Sequence, residues 1–150
     1  MNMTRIGKVR AFPADFQSLR YLNQYVRHQA AEAGVSEKII LKIDMVIEEL
    51  FVNIINHSHG AGGREVELRC YMDADKGADG QFFCFSLRDW GEPFDPLKRE
   101  DPELNLDIGQ RQVGGLGGSL VTRMADYCSY ERDGESNIFK ACFAADERLS

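Results

Sequence analysis

Between Ile39 and Ile55 the apolar residues Ile39, Ile40, Ile43, Val46, Ile47, Leu50, Phe51, Ile54 and Ile55 recur at steps of three and four. That spacing puts them on one broad face of an α-helix. A stripe so wide must lie against a second layer, so the strongest helix of the chain belongs to a packed core. Ser36 stands where its N-cap belongs. The run His57-Ser58-His59-Gly60-Ala61-Gly62-Gly63 ends it with glycines that release the backbone.

Upstream, Lys8 to Phe12 predicts a short strand, and Asp15 predicts a helix N-cap. Leu19, Leu22, Val26, Ala30 and Ala33 give the following helix one buried face, and Gly34 marks its left-handed C-terminal cap. Downstream the period changes. Val66, Leu68, Cys70 and Met72 alternate with Glu65, Glu67, Arg69 and Tyr71, as a half-buried strand requires. Phe82 to Leu87 supplies a second strand across a polar turn from Asp73 to Gly80, predicting an antiparallel hairpin. Trp90 to Val113 shows little periodicity, holds Pro93, Pro96 and Pro102, and is long for a connection, so it reads as a lid or binding segment. Glycines 114–118 lead into a short helix, Ser119 to Ala125. Strands around Tyr127 to Arg132 and Ile138 to Phe143 follow, joined by Asp133-Gly134. Strands come in pairs and do not alternate with helices. The prediction is an α+β fold, a two-layer sandwich with helices on one face of a mostly antiparallel sheet.

With 150 residues the chain has room for a single domain, residues 1–150. Eighteen Lys and Arg against 24 Asp and Glu leave a net charge of −6, which would repel a phosphate backbone, so direct binding to nucleic acid is not expected. No apolar stretch approaches the ~20 residues that cross a bilayer, and the start lacks a secretory leader pattern, so neither a membrane partner nor export is expected. The expected location is cytoplasmic. Cys70, Cys84, Cys128 and Cys142 form no Cys-x-x-Cys pair and sit among apolar neighbours, so all four are expected to be free thiols packed as small hydrophobes.

Three segments carry chemistry. Glu49 and Asn53 are four apart on the strongest helix, and four steps of about 100° return to within about 40°, so both leave one face a turn apart. An amide oxygen suits Mg²⁺, which uses few protein ligands, and a nearby carboxylate can take a proton from an attacking hydroxyl. Taken alone, the same pair also describes the solvated margin of an amphipathic helix. Asp89-Trp90-Gly91 begins where a strand ends. There Asp89 can accept hydrogens from an exocyclic amine, and Gly91 lets a flat ring lie close; an ordinary Asx turn is the plainer alternative. Gly114-Gly115-Leu116-Gly117-Gly118 before a helix offers backbone N–H groups and a dipole suited to phosphate. No Lys-Ser or Lys-Thr follows, so it is not a Walker loop. His57 and His59 lack a third ligand nearby; a cation at a helix C-terminus is the better description.

Taken together, in this order, these segments resemble a known family. Ile47-Glu48-Glu49-Leu50-Phe51-Val52-Asn53-Ile54-Ile55-Asn56-His57, Asp89-Trp90-Gly91-Glu92-Pro93-Phe94-Asp95-Pro96 and Gly114-Gly115-Leu116-Gly117 look like the N, G1 and G2 boxes of the GHKL ATP-binding superfamily. Within it they look most like the stand-alone anti-sigma-factor serine kinases of bacteria. The resemblance implies a Bergerat-type sandwich with an ATP lid. It implies Glu49 as general base, Asn53 as Mg²⁺ ligand, Asp89 as adenine-reading carboxylate, Gly91 as the close-approach glycine, and Gly115, Leu116 and Gly117 as the phosphate cradle. ATP and Mg²⁺ are the implied cofactors. The implied substrate is a serine of a STAS-type anti-anti-sigma protein, with a sigma factor as a second partner and a homodimer as the assembly. Lys98, Arg99 and Arg111 fall in the candidate lid, where they could add charge near the γ-phosphate; solvated lid charges are the plainer reading for at least two of them. The chain departs from the family at Gly118-Ser119, where members carry a bulkier pair, and in having Ser136 and Asn137 where a threonine is often found.

A serine kinase is the leading expectation. A non-catalytic nucleotide-binding module that sequesters a partner is the alternative, and retention of Glu49 favours the enzyme. The catalytic half of a histidine kinase would need a dimerisation helix pair, whereas only one helix precedes the first box.

Overall fold

The computed structural model describes residues 5–57, 65–73, 81–97 and 117–145. Strand β1 (Arg5–Pro13) leads through one turn of 3-10 helix (Phe16–Ser18) into α1 (Leu19–Glu32) and α2 (Glu37–His57). Then come β2 (Glu65–Asp73), β3 (Phe82–Asp89), α3 (Gly117–Met124), β4 (Tyr127–Asp133) and β5 (Ser136–Ala144). The strands form one open antiparallel sheet in the order β1-β2-β3-β5-β4, so β5 lies inside and β4 takes the edge. The fold is α+β, as the paired strands predict.

Local chemistry accounts for the helix boundaries. Asp15 Oδ1 accepts from the backbone N–H of Ser18 at 2.9 Å, and Ser36 Oγ accepts from Ile39 N–H at 3.3 Å, each satisfying a donor that the first turn leaves over. At the end of α1, Val35 N–H bonds to Ala30 O (3.0 Å) and Gly34 N–H to Ala31 O (3.1 Å). This is the Schellman pattern, and it needs the left-handed residue that Gly34 supplies at φ +85°. The two long helices therefore fold back on each other through a four-residue link, 33–36.

One face of the sheet meets the helices. Val66, Leu68 and Cys70, Phe83, Phe85 and Leu87, and Phe139, Ala141 and Phe143 share a buried cluster with Leu22, Val26 and Ala30 of α1, and with Ile39 to Phe51 of α2. Phe85 and Phe143 stack with centroids 6.2 Å apart. Ile54 and Ile55, at the end of the stripe, are only partly buried. There α2 runs toward the site described below. Among the described residues no helix is long and apolar enough to cross a membrane.

Two expectations are corrected. The strands are longer than periodicity indicates: β1 starts at Arg5 and β3 runs on through Arg88 to Asp89, because β2 and β5 both pair with those polar residues (Val66 and Asn137 flank Asp89). The cysteines are not all free. Cys84 and Cys142 stand opposite each other in the β3–β5 register and form a disulfide, with Cα atoms 4.1 Å apart. They lie on the sheet face away from the helices, in a smaller cluster with Phe82, Ala144 and Tyr71. Cys70 and Cys128 are free, and burial pushes the Cys70 thiol up to about 12, as for an inert packing residue.

A Cβ on Gly34 would touch nothing within 4 Å, so replacing it tests the backbone alone. Gly34→Ala is expected to cost about 1–2 kcal/mol, seen as a lower urea midpoint at unchanged slope. An unchanged midpoint would mean that α1 can end without a left-handed residue.

Candidate functional site

The last two turns of α2, the end of β3, the segment after it, and β4 and β5 line a cleft. Leu50, Asn53, Ile54 and His57 form the helical wall, and Asp89, Tyr130, Asn137 and Phe139 the sheet wall. Glu92, Phe94 and Pro96 close the side between them. The His57 ring stacks on Phe94 with centroids 4.1 Å apart and planes 15° from parallel. That contact joins the helix end to the segment after β3, so His57 sits at the pocket margin. Asp95 Oδ1 accepts from Leu97 N–H at 2.8 Å, an Asx turn that shapes the same segment.

Asp89 is the last residue of an interior strand. It shares parity with Phe83, Phe85 and Leu87, so its side chain points to the helix side, and it is only 7% exposed. Its Oδ1 accepts from Gly91 N–H at 2.9 Å and from Asn137 Nδ2 at 3.1 Å. The strand end and the tight turn thus both serve to seat one carboxylate. Gly91 donates to Asp89 and its carbonyl accepts from Arg132 Nη1 at 2.7 Å, so this glycine is anchored on both sides.

Asn53 faces Asp89 from the helical wall at 8% exposure, and its Nδ2 has no partner among the described residues. A buried amide left unpaired costs about 1–3 kcal/mol. Nitrogen and oxygen of an amide exchange places by a half-turn of the group, so either a donor or an acceptor can be offered to the cleft. A neutral amide on the helical wall with an unanswered polar atom is compatible with Mg²⁺ that arrives on phosphates, and the described residues hold no cluster of three or more His, Cys, Asp or Glu able to cage an ion by themselves.

Glu49 lies one turn before Asn53 on α2, half-buried and outside the described lining. Gly117 opens α3, whereas Gly115 and Leu116 lie outside the described residues, as do Lys98, Arg99, Arg111 and His59. Trp90 is not part of the lining; the Arg88 guanidinium lies 5.3 Å from its ring centre. The residues with no assigned role in the sequence are Tyr130, Arg132 and Phe94, which surround Asn137. Strand parity offered a signal: Asn137 occupies a core-facing slot in series with Phe139, Ala141 and Phe143.

A profile of the histidine kinase-like ATPase domain matches residues 12–143. No curated protein matches the chain. Among solved structures, the RsbU and RsbW domains of Rv1364c from Mycobacterium tuberculosis superpose with a TM-score of 0.61 at 12% identity. That match covers 91% of this chain and 32% of that one, so the chain spans about a third of its length. The Acinetobacter baumannii histidine kinase AdeS is 11% identical, covering 94% of this chain and 69% of that one, at a TM-score of 0.44.

Because Asn53 carries an unpartnered buried donor, Asn53→Leu is expected to raise the stability of the nucleotide-free chain by about 1 kcal/mol, measured by urea unfolding. A clear loss of stability would show that the amide has a partner inside the protein.

Proposed function

Since the chain belongs to the histidine kinase-like ATPase domain family, we propose that residues 1–150 form one ATP-binding domain acting as a serine protein kinase in an anti-sigma switch. The observation that carries the nucleotide reading is the cleft itself: a buried carboxylate at the end of an interior strand faces a buried, unpartnered amide on α2. Asp89 accepts the exocyclic amine of adenine, a charge-assisted bond that also rejects a base presenting an oxygen there. The apolar Leu50, Ile54 and Phe139 take the faces of the ring. The amides of Gly115, Leu116 and Gly117, at the start of α3, hold the phosphates with help from the helix dipole.

Phosphoryl transfer needs alignment and charge neutralisation more than covalent chemistry from the protein. Asn53 would hold Mg²⁺ through its amide oxygen, and the ion supplies neutralisation of phosphate charge when bound. Glu49 takes the proton from the serine hydroxyl as its oxygen bonds to the γ-phosphorus and the bond to the β,γ-bridging oxygen breaks, releasing ADP. The protein substrate is a STAS-type anti-anti-sigma protein, and a sigma factor is the alternate partner. This assignment rests on the resemblance of the three boxes; the likeness to the RsbU and RsbW domain structure supports the shared fold.

One observation favours a second reading, a nucleotide-dependent binder without transfer. The first residues of α3 are Gly117, Gly118 and Ser119, weak helix formers at the point where phosphates would be gripped.

Calorimetry with and without Mg²⁺, together with radiolabelled transfer to a STAS-type protein, separates the two. Glu49→Gln is expected to keep ATP affinity within about twofold and to lose about 100-fold or more in transfer. Asn53→Ala is expected to lose the Mg²⁺-dependent part of binding, and Asp89→Asn to weaken ATP by about tenfold or more. Equal transfer by wild type and Glu49→Gln would remove the base; absence of transfer from wild type despite tight ATP binding would establish the second reading.

A further inference from the structure

Asn137 lines the cleft, yet the protein uses all of its polar capacity. It is 5% exposed and lies on β5 directly opposite Asp89. Its Nδ2 group has two hydrogens, one given to Asp89 Oδ1 at 3.1 Å and the other to the Glu92 carbonyl at 2.9 Å. Its Oδ1 accepts from the Tyr130 hydroxyl, from Phe94 N–H at 3.3 Å and from Arg132 Nη1 at 3.2 Å. An amide has two donor hydrogens and two lone pairs. Nothing is left over for a ligand.

The amide's orientation is also determined. Turned by half a revolution, it would set its oxygen against a carboxylate and a carbonyl, and its hydrogens against three donors. Arg132 adds a second arm: Nη1 reaches the Gly91 carbonyl at 2.7 Å while Nε holds the Gly134 carbonyl of its own hairpin at 3.0 Å. Asp89, Gly91, Glu92 and Phe94 are thereby tied to the β4–β5 hairpin without any bound molecule.

We infer that Asn137 is a positioning residue, which with Arg132 presets the Asp89 carboxylate and the Gly91–Phe94 turn for recognising the base of a purine nucleotide. The inference rests on the reading that Asp89 accepts the base, and it adds where selectivity comes from. A carboxylate held in place discriminates between an exocyclic amine and an exocyclic carbonyl oxygen at the same position of the purine; one free to turn away discriminates less. Loosening the clamp therefore lowers ATP affinity and narrows the preference for ATP over GTP together.

The test uses the full chain with ATP and GTP titrated by calorimetry from pH 5 to 8, and thermal unfolding of the nucleotide-free protein at each pH. Asn137→Asp keeps the shape but puts a second carboxylate beside Asp89 and the Glu92 carbonyl, within reach of Tyr130 and Arg132. Two such carboxylates cannot both ionise easily, so one of them takes up a proton well above the usual range. At pH 8 this variant is expected to bind ATP about tenfold or more weakly than wild type, with a reduced ATP-to-GTP ratio. Its deficit relative to wild type shrinks toward pH 5 as the protonated carboxyl regains a donor. Arg132→Gln, at an exposed position, supplies the second measurement should Asn137→Asp not fold: a loss of about threefold or more, again with a narrowed ratio and an unfolding temperature close to wild type. If wild type binds ATP in preference to GTP and the folded variants keep that ratio, the positioning role is overturned while the nucleotide reading stands. If wild type binds neither nucleotide, the reading beneath the inference fails, and the inference with it.

Discussion

The ladder between β3 and β5 runs from Phe82 opposite Ala144 to Asp89 opposite Asn137, and the rest of the molecule is arranged around it. On its helix side it presents Phe83, Phe85, Phe139 and Phe143 to α1 and α2. At one end it closes with two polar side chains in place of two more apolar ones. Because backbone pairing sets those side chains opposite each other, a carboxylate and an amide can be buried together at little cost: each satisfies the other, and the following turn satisfies what remains. The cleft is the place where a well-packed sandwich ends in polar groups instead of closing over.

The two walls of that cleft are built on different terms. The sheet wall is complete in itself, with Asp89, Asn137, Tyr130 and Arg132 bonded to one another and to the backbone. The helix wall is incomplete, since Asn53 buries a donor that no described group answers. In physical terms the sheet side is prepared to read a shape, whereas the helix side holds a vacant bonding position that a ligand can fill. Stability is sacrificed at Asn53 and recovered across the wide apolar stripe of the same helix.

Much of this was legible in the chain. The caps at Asp15, Gly34 and Ser36 use side-chain or backbone chemistry that acts over three or four residues, so they could be read locally. The apolar faces of α1 and α2 followed from their period. The seat of Asp89 near a strand end is also visible, although periodicity ends the strand at Leu87, two residues early, because Arg88 and Asp89 break the apolar run. What could not be read was whatever depends on which strands are neighbours. The pairing of Cys84 with Cys142 needs the β3–β5 register, and so does the placing of Asn137 beside Asp89. Parity alone marked Asn137 as a polar residue in a core slot, without naming its partners. Gly115 and Leu116, which the resemblance assigns to the phosphates, lie outside the described residues, whereas Gly117 opens α3.

Asp89 and Asn137 are 48 residues apart in sequence, and Phe94 and Asn137 are 43 apart. The α1–α2 pair, the β2–β3 hairpin and the β4–β5 hairpin each close through nearby residues, so they can assemble early, while the joining of the two hairpins must wait for a long loop to close. A chain caught before that event has its helices and both hairpins but no cleft. The cleft is therefore a property of the finished fold alone, and any ligand held there acts as a latch on a junction that closes over a long stretch of chain.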